Sequence, residues 1–135
     1  MGNSNLRDRD DEASHAHFAL CDRPRGRFGV RASGCELVGY CAWGAVPLTK
    51  RSYDLYWIAV APGRQGLGIG RQLLERAERA VAARGGGGLY IETSSRPAYR
   101  RTRRFYRAAG YRQVARLADF YAPGDDKLVF CKTIG

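Results

Sequence analysis

Gln65-Gly66-Leu67-Gly68-Ile69-Gly70 lies where an apolar, strand-like run gives way to a helical period, and its three alternating glycines leave the backbone bare. The first N–H groups of a helix have no partner within it, and they carry the positive end of its dipole. Without side chains around them they can close on an anion, for which a pyrophosphate is the natural guest. Two common nucleotide motifs do not fit. A dinucleotide-type G-x-G-x-x-G counted from Gly66 and Gly68 finds Arg71 in its last place, and no Lys follows these glycines as in a P-loop. A tight turn with glycines for packing alone is the alternative. Glycine inside a helix costs about 1 kcal/mol relative to alanine. Gly66, Gly68 and Gly70 together in one helical turn therefore argue that something needs the bare backbone.

A second chemical signal is charge. Arg96, Arg100, Arg101, Arg103, Arg104, Arg107, Arg112 and Arg116 follow one another with no acid among them. Such a run could hold nucleic-acid backbone, cofactor phosphates or an acidic partner, although most charge runs are solvated faces. Asp119, Asp125 and Asp126 could attract a cationic amine, but they also suit an ordinary turn. Cys21, Cys35, Cys41 and Cys131 show no C-x-x-C pair and no His at ligand spacing, so we expect reduced, mostly buried thiols and no metal. His15 and His17 are read as incidental.

The elements that must position these residues follow from periodicity. Residues 1–17, with Asp8, Asp10, Asp11 and Glu12 grouped, show neither helical nor strand period and read as a loose arm ahead of one domain over 18–135. Phe18 to Leu20 suggests a short docked piece. Phe28 to Val30 and Leu37 to Trp43, across a turn at Ser33-Gly34, suggest an antiparallel hairpin. Asp54 to Ala61 is unbroken in its apolarity and reads as an interior strand. From Gly66, Ile69, Leu73, Leu74, Ala77, Ala80 and Val81 fall on one face of a helix ended by four glycines, 85–88. Leu89 to Thr93 is a strand. Pro97 opens a second helix with Tyr99, Thr102, Phe105, Tyr106 and Ala109 on one side, and Gly110 is placed to cap it. Tyr111 to Tyr121 and Lys127 to Ile134 close the chain as a hairpin. The expected fold class is α/β: one mixed, mostly antiparallel sheet with two main helices.

At 135 residues and 44% hydrophobic composition the chain can bury a core of one domain without disulfides or metal. Its 23 Lys+Arg against 13 Asp+Glu give a net charge of +10, which favours anionic partners. No apolar run approaches the roughly 20 residues needed to cross a bilayer, and no signal-peptide core is visible, so we expect a cytoplasmic protein without membrane contact.

Val60-Ala61-Pro62-Gly63-Arg64-Gln65-Gly66-Leu67-Gly68-Ile69-Gly70 resembles the acyl-CoA signature of the GNAT superfamily of N-acyltransferases, [RQ]-x-x-G-x-[GA] after a strand. Phe105-Tyr106-Arg107-Ala108-Ala109-Gly110-Tyr111 resembles the second signature of that family, F-Y-x-x-x-G-[FY]. Both stand in the right order with the right elements between them, and the resemblance spans residues 27–134. It implies an acyltransferase that moves an acetyl group from acetyl-CoA to a primary amine by direct attack in a ternary complex.

Roles follow from the resemblance. Ile58, Ala59 and Val60 match the strand segment whose backbone N–H stabilises the oxyanion. Gln65, Gly66, Leu67, Gly68, Ile69 and Gly70 match the pyrophosphate turn, with Arg64 or Arg71 adding charge. Tyr106 matches the residue that lies against the cofactor and returns a proton to the leaving thiolate, a task a phenol near pKa ~10 can perform; a core aromatic is the alternative. Asp54 stands at the offset of the catalytic carboxylate of the histone-acetyltransferase branch, and Glu92 is a second candidate base. An Asp at ~3.9 facing an amine at ~10.4 mismatches by about 6.5 units, roughly 9 kcal/mol, so Asp54 needs a raised pKa, a relaying water or a partly neutral amine. The family places a strand and two helices ahead of the hairpin, where only 26 residues precede Arg27. The resemblance therefore implies a shortened acceptor half, which a second copy of the chain is a candidate to complete. Two other classes stay open: an acyl-CoA-binding module without turnover, and a basic protein associated with nucleic acid, the latter as a minor alternative.

Overall fold

The structure, a computed structural model, describes residues 15–23, 27–30 and 36–135. Its strands are β1 (His15–Arg23), β2 (Arg27–Val30), β3 (Leu37–Ala45), β4 (Ser52–Val60), β5 (Gly87–Ser94), β6 (Arg112–Ala122) and β7 (Asp125–Ile134). Helix α1 (Ile69–Ala83) joins β4 to β5. A 3₁₀ turn at Pro97–Tyr99 runs directly into α2 (Arg100–Ala108). The seven strands form one sheet in the order β2-β1-β3-β4-β5-β7-β6, with β4–β5 the parallel pair and the others antiparallel. The mixed, mostly antiparallel sheet with two helices is the expected one.

Two expectations at the N-terminal side need correction. Strand β1 begins at His15, so the last three residues assigned to a loose arm are sheet; residues 1–14 lie outside those described. The expected pairing of Phe28–Val30 with Leu37–Trp43 does not form. Strand β1 sits between them, pairing Leu20 with Val30 on one side and Phe18 with Cys41 on the other. Alternation marked the residues as strands but carried no information about which strand lay beside which. The Ser33-Gly34 turn lies outside the described residues.

Helix α1 buries the face its periodicity foretold: Ile69, Leu73, Leu74, Ala77 and Val81 are fully buried, with Ala80 against the core. Each large aliphatic side chain there is worth about 1.5–3 kcal/mol of burial. The helix lies so close on the sheet that a β-carbon on Gly39 of β3 would come within 2.6 Å of Ile69 Cγ2. Glycine there sets the spacing between the two layers. At the end of α2, the Tyr111 N–H bonds the Tyr106 carbonyl and the Gly110 N–H bonds that of Arg107, a Schellman cap with Gly110 at φ 95°.

Strand β4 carries a bulge. Trp57 pairs with Ala42 and Leu55 with Trp43, which leaves Tyr56 as the extra residue. The bulge shifts the alternation by one. Tyr53 and Leu55 face the helices before it, and Ile58 and Val60 take that side after it. Trp57 and Ala59 are thereby left exposed, so the unbroken apolarity of this strand does not mean burial on both faces. Strand β5 pairs with β4 only from Ser52↔Gly88 to Leu55↔Ile91, although β4 continues to Val60 and β5 to Ser94. Beyond Leu55 the two strands part, and a gap opens in the middle of the sheet.

The last hairpin is anchored by buried polar groups. Ser94 Oγ donates to Asp125, whose carboxylate also meets Arg96. Asp126 accepts from Arg116 Nε at 2.6 Å and from the Asp119 N–H at 2.9 Å. Asp125 and Asp126 are therefore pinning residues, not free attractors of a cationic acceptor, and they answer part of the arginine run. Of the cysteines, Cys41 is a buried free thiol pushed up to about 11 by desolvation, and Cys131 is a half-buried free one.

Candidate active site

A cleft of about 610 Å³ opens where the end of β4, the glycine turn and α2 meet. Ile58 and Val60 form one wall, Gln65, Gly66, Gly68 and Gly70 the rim, and Thr102, Phe105 and Tyr106 the wall opposite. The bulge at Tyr56 is what turns Ile58 and Val60 toward this space.

The turn differs from its expected form. Gly66 and Gly68 are not helical; both hold left-handed backbone, φ 79° and 78°, and α1 starts at Ile69 with Gly68 as its N-cap. A β-carbon at either position would meet nothing within 4 Å, so glycine is required there by conformation and not by space. Only Gly70 lies within the helix. Gln65 and Gly66 form a hydrogen-bonded turn; beyond it, among the described residues, the backbone N–H groups of Gly68, Ile69, Gly70 and Arg71 donate to no backbone carbonyl, and the series resumes with Gln72 N–H to the Gly68 carbonyl. The cleft is open, and these four amides are unspent.

Side chains around the turn are anchored. Arg64 pairs with Glu36 at 3.5 Å. Arg71 pairs with Glu75 at 3.2 Å and reaches the Ala108 carbonyl of α2 at 3.5 Å. The side chains of Leu67 and Ala59 do not line the cleft; both are exposed. On β4, the Ala61 N–H bonds the Val38 carbonyl, and the alternation of an antiparallel pair then turns the Ala59 N–H toward β3. That leaves the N–H groups of Ile58 and Val60 facing the gap, and removes Ala59 from the three expected donors.

Tyr106 is 7% exposed at the cleft wall, its ring among Phe105, Tyr111 and Phe130. Burial pushes its hydroxyl up to about 12. The expected division of labour between Phe105 and Tyr106 is softer than their adjacency implied: both line the cleft, and Phe105 is the less buried of the two. Asp54 and Glu92 are not in the cleft. They lie on the opposite face of the sheet beside the gap, with Asp54 paired in register to Tyr90 and Glu92 two residues further along β5. Desolvation raises the Asp54 carboxyl above the ordinary range, and the Glu92 charge raises it further while Lys127 opposes. Glu92 is held by Lys127 Nζ at 2.8 Å. Ala98, Arg101 and Thr102 are cleft residues that sequence reasoning did not single out as site residues, and only Arg101 carried any signal, as one of the arginine run.

Fold and cleft together define an α/β protein built on a strand–turn–helix with a bare-backbone turn, opened beside a parting pair of strands. A family model described as an acetyltransferase (GNAT) domain matches residues 24–113. The chain belongs to the GNAT acetyltransferase family. A solved protein of that family from Desulfovibrio desulfuricans is 35% identical, with a TM-score of 0.78 over 97% of this chain and 78% of its own. The ribosomal-protein-S18-alanine N-acetyltransferase of Escherichia coli shares the fold at 19% identity and TM-score 0.69, over 100% of this chain and 79% of its own. An aminoglycoside 6′-N-acetyltransferase solved with coenzyme A shares it at 21% and 0.67, over 99% and 82%. A search of curated proteins by sequence finds no match. Among the described residues, no helix is long and apolar enough to cross a membrane.

Proposed function

We infer that this chain is an N-acetyltransferase that takes acetyl-CoA as donor and a primary amine as acceptor, in one ternary complex. The observation that carries the reading is the row of unspent amides from Gly68 to Arg71 on an open cleft. In this reading those amides hold the CoA diphosphate and the pantetheine arm runs along Ile58 and Val60 into the gap. The thioester carbonyl then meets the N–H groups of Ile58 or Val60, which stabilise its developing charge.

The amine approaches from the opposite face, where Asp54 and Glu92 stand. Its nitrogen bonds to the carbonyl carbon, the C–S bond breaks, and the surplus amine proton leaves through Asp54, directly or by water. The raised pKa of Asp54 narrows its mismatch with an amine. Tyr106 gives its proton to the departing thiolate and regains one from solvent. A buried phenol that stays protonated at neutral pH suits that task.

Calorimetry with acetyl-CoA tests the cofactor, and thiol release over a panel of polyamines, amino acids, aminoglycosides and peptides tests turnover. Saturable binding with thiol release on one acceptor class is the expected result. Binding without release on any acceptor would favour a module without turnover, and no binding would remove both readings.

A further inference from the structure

On the face of the sheet that carries Asp54 and Glu92, strand β6 holds two aromatic rings out of the core. Leu117 pairs with Lys127 and Ala122 with Asp125, so Ala118, Asp119, Phe120 and Tyr121 stand opposite Asp126 alone. This wide bulge is pinned. Asp119 takes a left-handed backbone at φ 55°, its N–H donates to Asp126, and its carboxylate accepts from the Gly124 N–H at 2.7 Å. Bulges re-aim side chains, and this one leaves Phe120 and Tyr121 exposed with their rings edge to face, centres 5.1 Å apart. Adjacent aromatic rings kept in solvent by an anchored backbone mark a contact surface. They stand beside the two carboxylates. Lys127 Nζ lies 4.4 Å from the centre of the Phe120 ring and 2.8 Å from Glu92. Desolvation and then the Glu92 charge push the Tyr121 hydroxyl up. Tyr56, exposed at the bulge of β4, borders the other side: desolvation and then Asp54 push its hydroxyl up.

The charges on this face are not equivalent. Glu92 is spent on Lys127. Asp54 is half-buried and forms no ion pair or hydrogen bond among the described residues. An incoming cation therefore finds one uncommitted carboxylate, and a second cationic centre on the same molecule meets the Lys127 ammonium, which repels it. We propose that the acceptor is a primary monoamine on an apolar or aromatic body, with its nitrogen beside Asp54 and its body against Phe120 and Tyr121, and that Lys127 turns away acceptors with several cationic centres. This rests on the acyltransfer reading above and names the acceptor class within it. A ring laid on Phe120 and Tyr121 gains from aromatic contact as well as from apolar area removed from water. A polyamine gains neither and carries the charges that Lys127 opposes.

The test is thiol release from acetyl-CoA by the full chain, read as kcat/KM for phenethylamine, propylamine and spermidine. It is run on wild type, Phe120→Ala, Tyr121→Ala and Lys127→Met, with melting curves for each. Phe120 and Tyr121 are exposed, so their variants should melt close to the parent. Wild type should prefer phenethylamine to propylamine by about tenfold or more, with spermidine the poorest of the three. Each alanine variant should lose most of that preference by lowering the phenethylamine value far more than the propylamine value. Lys127→Met frees Glu92 and should raise the spermidine value. A wild type that uses spermidine as well as phenethylamine overturns the proposal. So does a phenethylamine preference that survives both alanine variants, a Lys127→Met variant with no gain on spermidine, or no release with phenethylamine at all. Release with any other amine in those cases leaves the acyltransfer reading standing, whereas failure of wild type to bind acetyl-CoA in calorimetry overturns that reading itself.

Discussion

Gly70 and Phe105 meet across the cleft: a β-carbon on Gly70 would lie 3.4 Å from Phe105 Cζ and 3.7 Å from Val60 Cγ2. The helix could accept alanine there, but the cleft would lose the space. Gly70→Ala should leave the melting temperature unchanged or raise it by an amount worth up to about 1 kcal/mol, while weakening acetyl-CoA in calorimetry. Unchanged affinity would mean the cofactor does not pass close to Gly70.

Gly68 makes the opposite demand. Its backbone is left-handed and nothing surrounds its missing side chain, so Gly68→Ala should destabilise by about 1–2 kcal/mol in chemical denaturation from backbone strain alone. Gly68→Asn should cost less than alanine, because asparagine tolerates this conformation. Equal costs would point to a steric cause instead.

Tyr106→Phe keeps the ring packing against Tyr111 and Phe130 and removes only the proton. It should lower kcat by more than about tenfold with little change in acetyl-CoA affinity. Because burial lifts the hydroxyl to about 12, the wild-type pH profile should show no alkaline fall assignable to this group until that range. Equal losses in kcat and affinity would make Tyr106 a packing residue.

Asp126 links the last hairpin to acid stability. The Asp119 N–H, then the Arg116 guanidinium, hold its carboxyl below the ordinary range. A carboxylate whose folded pKa is depressed stabilises the fold above its unfolded value and loses that contribution as pH falls through the folded one. Asp126→Asn should therefore melt below wild type at neutral pH, with the two curves converging in acid beneath the ordinary carboxylate range. A gap between them that persists there would count against this linkage.

The legible parts of the site are those whose chemistry is local. Alternating glycines before an apolar helical face marked the bare-backbone turn that rims the cleft, even though Gly66 and Gly68 proved to be left-handed loop residues instead of helical ones. Tyr106 was legible through its motif. Ala59 was not separable from Ile58 and Val60, because which N–H faces the gap depends on pairing with β3. Asp54 and Glu92 read as two scattered carboxylates, and only β4–β5 register puts them on one face.

What this chain settles by residue order alone is its set of elements, the apolar side of α1, and the backbone freedom of the turn from Gln65 to Gly70, since each depends on neighbours a few positions away. Tertiary structure decided the rest. The place of β1 between β2 and β3, the bulge at Tyr56, the gap beyond Leu55, and the arrival of Arg101 and Tyr106 opposite the turn all come from contacts between distant segments. Those contacts are chosen by the shape and burial of the whole sheet, and no local period encodes them.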